Sequence, residues 1–471
     1  MTSISTLGIG SGLDLSSILD SLEASEKAAL TPISTQQSSY TAKLSAYGTL
    51  KSALTTFQTA NSTLNNANLF SSTAATSTTT AFSATTASGA LAGKYTISVT
   101  QLATAQTLTS GVQTTNNTAI ASSDSTITIQ QGGDAKPVTI SLAAGNSSLT
   151  GIRDAINKAD AGVTASIIKT GDGSYRLSMT SNDTGTDNAM TIAVSGDSAL
   201  QSFMTYDGTS SSNMTQSVAA KNAELTVNNV PIENSSNTIS DALEGITLNL
   251  NDVTSGNQSL TITKDTSGAT SAITNWVNAY NTLQDQFSSL TKYTAVAVGA
   301  DAQDTSNGAL VGDSTLRTIQ SQLKSMLTNA QSSSTYKSLA QIGITSDPST
   351  GSLSIDSTAL STALDKDPDG IKEMIVGDGK TTGIATTIGS NLTSWLSSTG
   401  ILQAATDGVS KTLNNLTDQY NNESSRIDDM VARYKTQFTA LDVLMSKLNS
   451  TSSYLTSQFS TSSSSTSSTS S

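Results

Sequence analysis

Neither cysteine nor histidine occurs among the 471 residues. Without cysteine there is no disulfide, no thiolate nucleophile, no iron–sulfur cluster and no Cys-ligated zinc. Without histidine the commonest general base and the commonest metal ligand are both missing, so neither a Ser-His-Asp site nor an HExxH site can be built. Aromatic residues are scarce at 4%, which predicts thin cores. Basic residues are in deficit, 23 Lys and Arg against 36 Asp and Glu, for a net charge of -13. An acidic chain without a basic cluster repels phosphate backbones and anionic lipids, so neither nucleic acid nor membrane is an expected partner. No run is long and apolar enough to span a bilayer, and the first residues carry neither the basic nor the apolar region of a Sec-type signal. Taken alone, these features describe a cytoplasmic chain. At about 150 residues per domain, the length suggests roughly three folded units.

What is present is ordered along the chain: helical spacing at both ends and alternation between them. Leu15, Leu19 and Leu22 share one helical face, which Asp14 can cap. Tyr40, Leu44, Tyr47, Leu50, Leu54, Phe57 and Leu64 recur at spacings of three and four, with Asn61 completing the stripe. Near the other end, Ile427, Val431, Tyr434, Phe438, Leu441, Met445 and Leu448 follow a 4-3-4-3-4-3 spacing that Leu455 and Phe459 continue. A 3.5-residue repeat sustained this far predicts a coiled-coil seam, although an ordinary bundle helix gives the same stripe. Its Asn, Ser and Thr flanks make a weak helix that needs partners. The Ser/Thr tail after Phe459 is expected to be disordered, and the polar stretch 71–80 to be a linker.

In the middle, Tyr95, Ile97 and Val99 alternate, as do Ile127 and Ile129, and then Val138, Ile140 and Leu142. A short helix with Leu149, Ile152 and Ile156 on one face is expected to be capped by Ser148 and ended by Gly162. Strands follow around a Gly171-Asp172-Gly173 turn. A second β group holds Leu225, Val227, Leu248, Leu250, Leu260 and Ile262. From Ser271 helical spacing returns, through Ile273, Trp276, Tyr280, Leu283 and Phe287, then Leu316, Ile319 and Leu323. The expected fold is α+β and multidomain: a discontinuous helical stalk with terminal coiled-coil segments and two inserted β-rich head domains. Segments 1–40 and 427–471 are the terminal coil, 41–70 and 271–426 the leg. Segments 71–125 and 215–270 form one head, and 126–214 the head inserted in it.

Three stretches imitate sites. Gly8–Gly12 lacks the spacing and the Lys of a phosphate loop and reads as a flexible lead into a helix. Asp365–Gly370 imitates the start of a calcium loop, but position twelve is Val376 rather than Glu, and a helix-initiating turn explains it. Asp183 and Asp187 suit a turn as well as a metal. Trp276 and Trp395 fall in helical patterns and are expected in the core. No catalytic, cofactor or metal site is expected.

Several segments resemble the flagellar filament cap family. Gly8–Asp14 (GIGSGLD) is similar to its N-terminal signature, and Thr274–Asn281 (TNWVNAYN) to its helical segment before the C-terminal region. Leu339–Thr345 (LAQIGIT), Gly351–Asp356 (GSLSID) and Leu364–Pro368 (LDKDP) are similar to its most specific signature. Tyr434–Asp442 and Asn449–Leu455 resemble its C-terminal coil, and Ala155–Asn182 the repeat of flagellins and hook-associated proteins. The resemblance covers almost the whole chain and implies an enterobacterial type of member. It implies export by the flagellar type III route and a closed homo-oligomeric ring, commonly of five subunits, with four or six as alternatives. It also implies contacts with flagellin, with hook-associated junction proteins and with a cytoplasmic export chaperone. The function so implied is to promote flagellin folding and insertion at the filament tip and to prevent monomer leakage. A secreted adhesin for host glycans is the alternative. The expected assembly residues are Ile427, Val431, Tyr434, Phe438, Leu441, Met445, Leu448 and Leu455.

Overall fold

The computed structural model describes residues 8–9, 11–132, 136–209, 211–299, 303–328 and 334–464. The chain divides into a helical unit, residues 1–66, 271–360 and 370–471, and a β unit, residues 67–270 and 361–369. The long helices of the two chain ends pack together, and the β region is inserted between them in sequence. Helix α1 spans Leu15–Lys27 and α2 spans Leu30–Leu64. Inside the β region lie α3 (Leu149–Ala159) and α4 (Ser198–Met204). After it come α5 (Ser267–Leu290), α6 (Ser314–Thr328), α7 (Ser357–Lys366), α8 (Pro368–Ile375), α9 (Ile384–Leu396) and α10 (Ile401–Ser464).

Asp14 caps α1 as expected, its Oδ1 accepting the Ser17 amide at 3.1 Å. Helix α2 starts two residues before Pro32, where the missing N–H costs nothing. It then runs unbroken through position 40, as α10 does through 427, so two of the expected divisions fall inside continuous helices. The apolar stripe of α2 is buried from Tyr47 to Leu64. Asn61, 1% exposed, is a polar connector in that stripe. Its Oδ1 accepts Trp276 Nε1–H at 3.0 Å, and its Nδ2 donates to the Ala385 carbonyl at 2.7 Å. Three helices are thereby fixed around a cluster of Phe57, Trp276 and Tyr280, whose ring centroids lie 5.8–6.1 Å apart. Trp395 is also core, donating to Gln322 Oε1 at 3.1 Å.

A second polar link joins α2 to α6. Tyr47 Oη donates to Asp313 Oδ2 at 2.6 Å, Lys43 lies 3.4 Å from the same carboxylate, and Asp313 Oδ1 accepts the Leu316 amide at 3.0 Å. Burial pushes the Asp313 carboxyl up, but these hydrogen bonds and the Lys43 charge outweigh it and hold the group below the ordinary carboxylate range. Burial, then the bond to Asp313, pushes the Tyr47 phenol up.

The β unit holds two cores. The outer one lies between a five-stranded antiparallel sheet and a three-stranded one. The larger sheet runs in the order Thr73–Ser77, Gln258–Lys264, Gly93–Gln101, Ala223–Val227, Val230–Asn234. The smaller contains Thr238–Leu243, Ile246–Leu250 and Phe82–Thr86. The inner core lies among α3, α4 and two further sheets. It takes in Leu108 and Ala121, so it begins before position 126 in the chain.

Residues 73–77 correct the expected linker. They form an edge strand, because backbone pairing to Gln258–Lys264 needs no apolar side chains of their own. Ser148 caps α3 by accepting the Gly151 amide at 3.2 Å. The left-handed residue that closes α3 is Asp160 (φ 47°), two residues before the expected Gly162. Inside the inner core Asp197, 5% exposed, caps α4 through the Ala199 and Leu200 amides and also accepts the amides and hydroxyls of Ser122 and Ser123. The Ser122 hydroxyl and amide lead this set, and together they hold its carboxyl far below the usual range.

The imitation sites resolve into structure. Pro368 opens α8 directly after α7, so Asp365 and Asp369 sit in successive helices and not in one loop. Asp183 and Asp187 lie in the connection between strands Ser174–Ser181 and Met190–Ser195. Helix α10 carries on through the first Ser/Thr residues to Ser464. The remainder of the expected disordered tail lies outside the described residues.

Candidate assembly site

The terminal seam is built by two helices running antiparallel. At one end of α1, Glu26 lies 3.6 Å from Arg426. At the other, the Ser11 amide donates to Asp442 Oδ1 at 2.7 Å. Sixteen residues of one chain end, 11–26, thus match seventeen of the other, 426–442. The register extends into α2, where Gln37 Nε2 donates to Thr417 Oγ1 at 3.3 Å. Leu15 and Leu19 are the buried residues of α1, and each such burial is worth about 1.5–3 kcal/mol.

The lead into α1 is a tight turn, not a flexible arm. Gly12 N–H donates to Gly8 O at 2.9 Å, and Gly8 has φ 99°. A Cβ on Gly8 would lie 2.1 Å from the Leu13 carbonyl oxygen, so only glycine fits. Gly10, in the same motif, lies outside the described residues.

Along α10 the expected assembly residues grade from dry to wet. Ile427 is fully buried, and Val431, Tyr434, Phe438 and Met445 are half-buried. Tyr434 and Phe438 also touch each other, with ring centroids 6.2 Å apart. Leu441 is 38% exposed, Leu448 54% and Leu455 49%. Coverage changes gradually around Asp442: Leu441 just before it is already open, Met445 after it is half-buried, and Leu448 and Leu455 are open. Sequence reasoning found the stripe but missed its two polar ends. Asp442 stood inside a quoted motif, yet nothing local in the sequence shows that its partner is the Ser11 backbone, 431 positions away.

The chain is 73% identical over 463 residues, 98% of each chain, to the flagellar hook-associated protein 2 of Escherichia coli (strain K12). The chain belongs to the flagellar hook-associated protein 2 family. Models of that family's N-terminus and C-terminus match residues 11–106 and 220–450, and a flagellin hook IN motif matches 126–183. The hook-associated protein 2 of Salmonella typhimurium is 49% identical across 98% of this chain and 99% of its own. A crystal structure of the flagellar cap protein FliD from Escherichia coli, covering its D1-D2-D3 domains, superposes with a TM-score of 0.72 at 70% identity. That match spans 78% of this chain and 99% of the crystallised one. A hook-associated protein 2 is a structural component of the flagellar cap and not an enzyme, and its place is outside the cell at the flagellum tip.

Proposed function

We propose that this chain closes the distal end of the flagellar filament as a ring of identical subunits, five in number, with four and six as the alternatives. Beneath it flagellin subunits fold and insert, and the ring prevents their leakage and permits filament elongation and motility. The subunits leave the cell by flagellar type III export after release from a cytoplasmic chaperone, and they act beyond the hook-associated junction proteins. Segments 1–40 and 427–471 are the seating element.

The observation that carries this reading is the half-covered seam. As far as Asp442, α10 is accompanied by α1 and the turn that leads into it, and beyond it Leu448 and Leu455 lie open. An apolar stripe left in water is a docking surface for another helix. The test is complementation of a strain lacking its own cap protein, followed by electron microscopy of filament ends. The expected result is full-length filaments with a ring at each tip. Full-length filaments with bare tips would overturn the proposal.

A further inference from the structure

Asn307 and Gly308 form the one Asn-Gly pair in the chain, at the base of the loop that follows α5. The pair is chemically labile. Asparagine is a thermolabile residue type, and a glycine after it has no Cβ to keep the side chain off its amide nitrogen. The fold nevertheless calls for both residues. A Cβ on Gly308 would lie 2.3 Å from the Leu290 carbonyl oxygen, so no side chain fits there. Asn307 Oδ1 accepts the Thr294 amide at 2.6 Å, and its Nδ2 donates to Gln303 Oε1 at 3.2 Å. The Gly308 amide donates to the Lys292 carbonyl at 2.8 Å, and the Leu310 amide to the Leu290 carbonyl at 3.0 Å. These bonds close the base of the loop and satisfy carbonyls at the end of α5. They lead the chain into the core at Leu310, which is fully buried.

We propose that Asn307 is a self-modification site that the closed loop base holds silent. The step begins when the Gly308 amide nitrogen, its proton lost to base, bonds to Asn307 Cγ. The Cγ–Nδ2 bond breaks and ammonia leaves, giving a succinimide. Water then adds to one of the two ring carbonyls and breaks the bond from that carbonyl to the Gly308 nitrogen. Opening at Cγ gives aspartate. Opening at the main-chain carbonyl gives isoaspartate, in which the chain runs on through the side chain. Nothing is oxidised or reduced, and water is the one co-reactant.

In the closed base the nucleophile is occupied, since the Gly308 N–H must leave the Lys292 carbonyl before its proton can be removed. The electrophile is anchored by both ends of its amide, to Thr294 and to Gln303. Reaction therefore waits for the base to open, and its rate scales with the open fraction. Isoaspartate adds a methylene to the main chain ahead of Gly308, so the product cannot re-form the bonds from Thr294 and to Lys292 together. Each reaction then leaves a loop that stays open. The site is independent of the ring reading above.

The test incubates the full-length chain at mildly alkaline pH and follows the peptide containing residue 307 by mass spectrometry, for the mass gained when NH2 becomes OH. The same chain in guanidinium chloride gives the unprotected rate. The rate in the folded chain should be lower by about tenfold or more. T294P removes the donor to Asn307 Oδ1 and should raise the folded rate while the helical unit keeps its unfolding transition. Q303A changes an exposed residue, removes only the partner of Nδ2, and should raise the rate less. Equal rates in the folded and unfolded chain overturn the proposal, and so does an unchanged rate in both variants. Should T294P lose the transition, Q303A alone decides, and an unchanged rate there overturns the proposal. Limited trypsin digestion of a partly aged sample reads the second half. The chains cut after Lys292 should be enriched in the modified form, and an equal share in cut and uncut chains overturns the lasting opening.

Discussion

The side-chain amide of Asn281 brackets the backbone of Leu353. Its Nδ2 donates to the Leu353 carbonyl at 2.8 Å, and its Oδ1 accepts the Leu353 amide at 2.7 Å. Asn281 thereby acts as a one-residue strand. It satisfies the edge of the hairpin strand that does not face Ile344–Ser346, and it pins that hairpin to α5. Two of the sequence signatures, TNWVNAYN and GSLSID, meet at this point. N281A should destabilise the helical unit by about 1–3 kcal/mol, since both Leu353 groups lose their partner. Equilibrium urea unfolding checks it, with N281D, which keeps only the acceptor, expected between the two.

Asn61 and Trp276 form the second test of packing. W276F removes the indole N–H and strands Asn61 Oδ1 at a site 1% exposed. The expected loss is again about 1–3 kcal/mol. The double variant W276F/N61L should cost less than the two single losses added together, because no polar group of that pair is then left unmet. Thermal unfolding of the four proteins gives the cycle, and simple additivity would count against the bond.

Acid should weaken the β unit through Asp197. Its folded pKa lies below the unfolded value of about 3.9. The sign follows: the contribution is full above about pH 4 and is lost as pH falls below it. D197N should flatten the dependence of β-unit stability on pH between about 5 and 2. Equal slopes in the two proteins would remove Asp197 as the cause.

For the seam, F438D/L441D places two charges on the stripe where α1 crosses it. The β unit should keep its unfolding transition, while filaments fail to elongate and flagellin monomer accumulates in the medium. Motility halos and an immunoblot of the supernatant read both outcomes. Normal filaments from this variant would remove α10 as the seating element.

A β fragment offers a fifth comparison. Residues 67–270 should unfold cooperatively alone. Residues 81–264 lack the edge strand Thr73–Ser77 and leave the Gln258–Lys264 edge bare. The shorter fragment should be less stable and more prone to self-association, as measured by urea midpoint and light scattering.

Local pattern determined what depends on local geometry. A helix repeats every 3.6 residues and a strand every two, so an apolar stripe names its own element and its buried face. That is why the stripes of α2, α5 and α10, the alternation around Ile97 and Ile127, and the caps at Asp14 and Ser148 were all legible, as was the family signature. What no window of sequence carries is the identity of a distant partner. Thr73–Ser77 reads as linker because an edge strand of Thr, Ala and Ser gains its place from backbone bonds to residues some 187 positions on. Asn61 reads as one more member of a stripe until Trp276 and the Ala385 carbonyl close on its amide. The eight seam residues read as equivalent, yet Ile427 is dry and Leu448 is wet. Ile427 sits beside the Glu26–Arg426 contact, and Leu448 lies past the Ser11–Asp442 bond. Pairing between chain ends depends on folded geometry, in which two segments 431 positions apart become neighbours only after everything between them has taken its place.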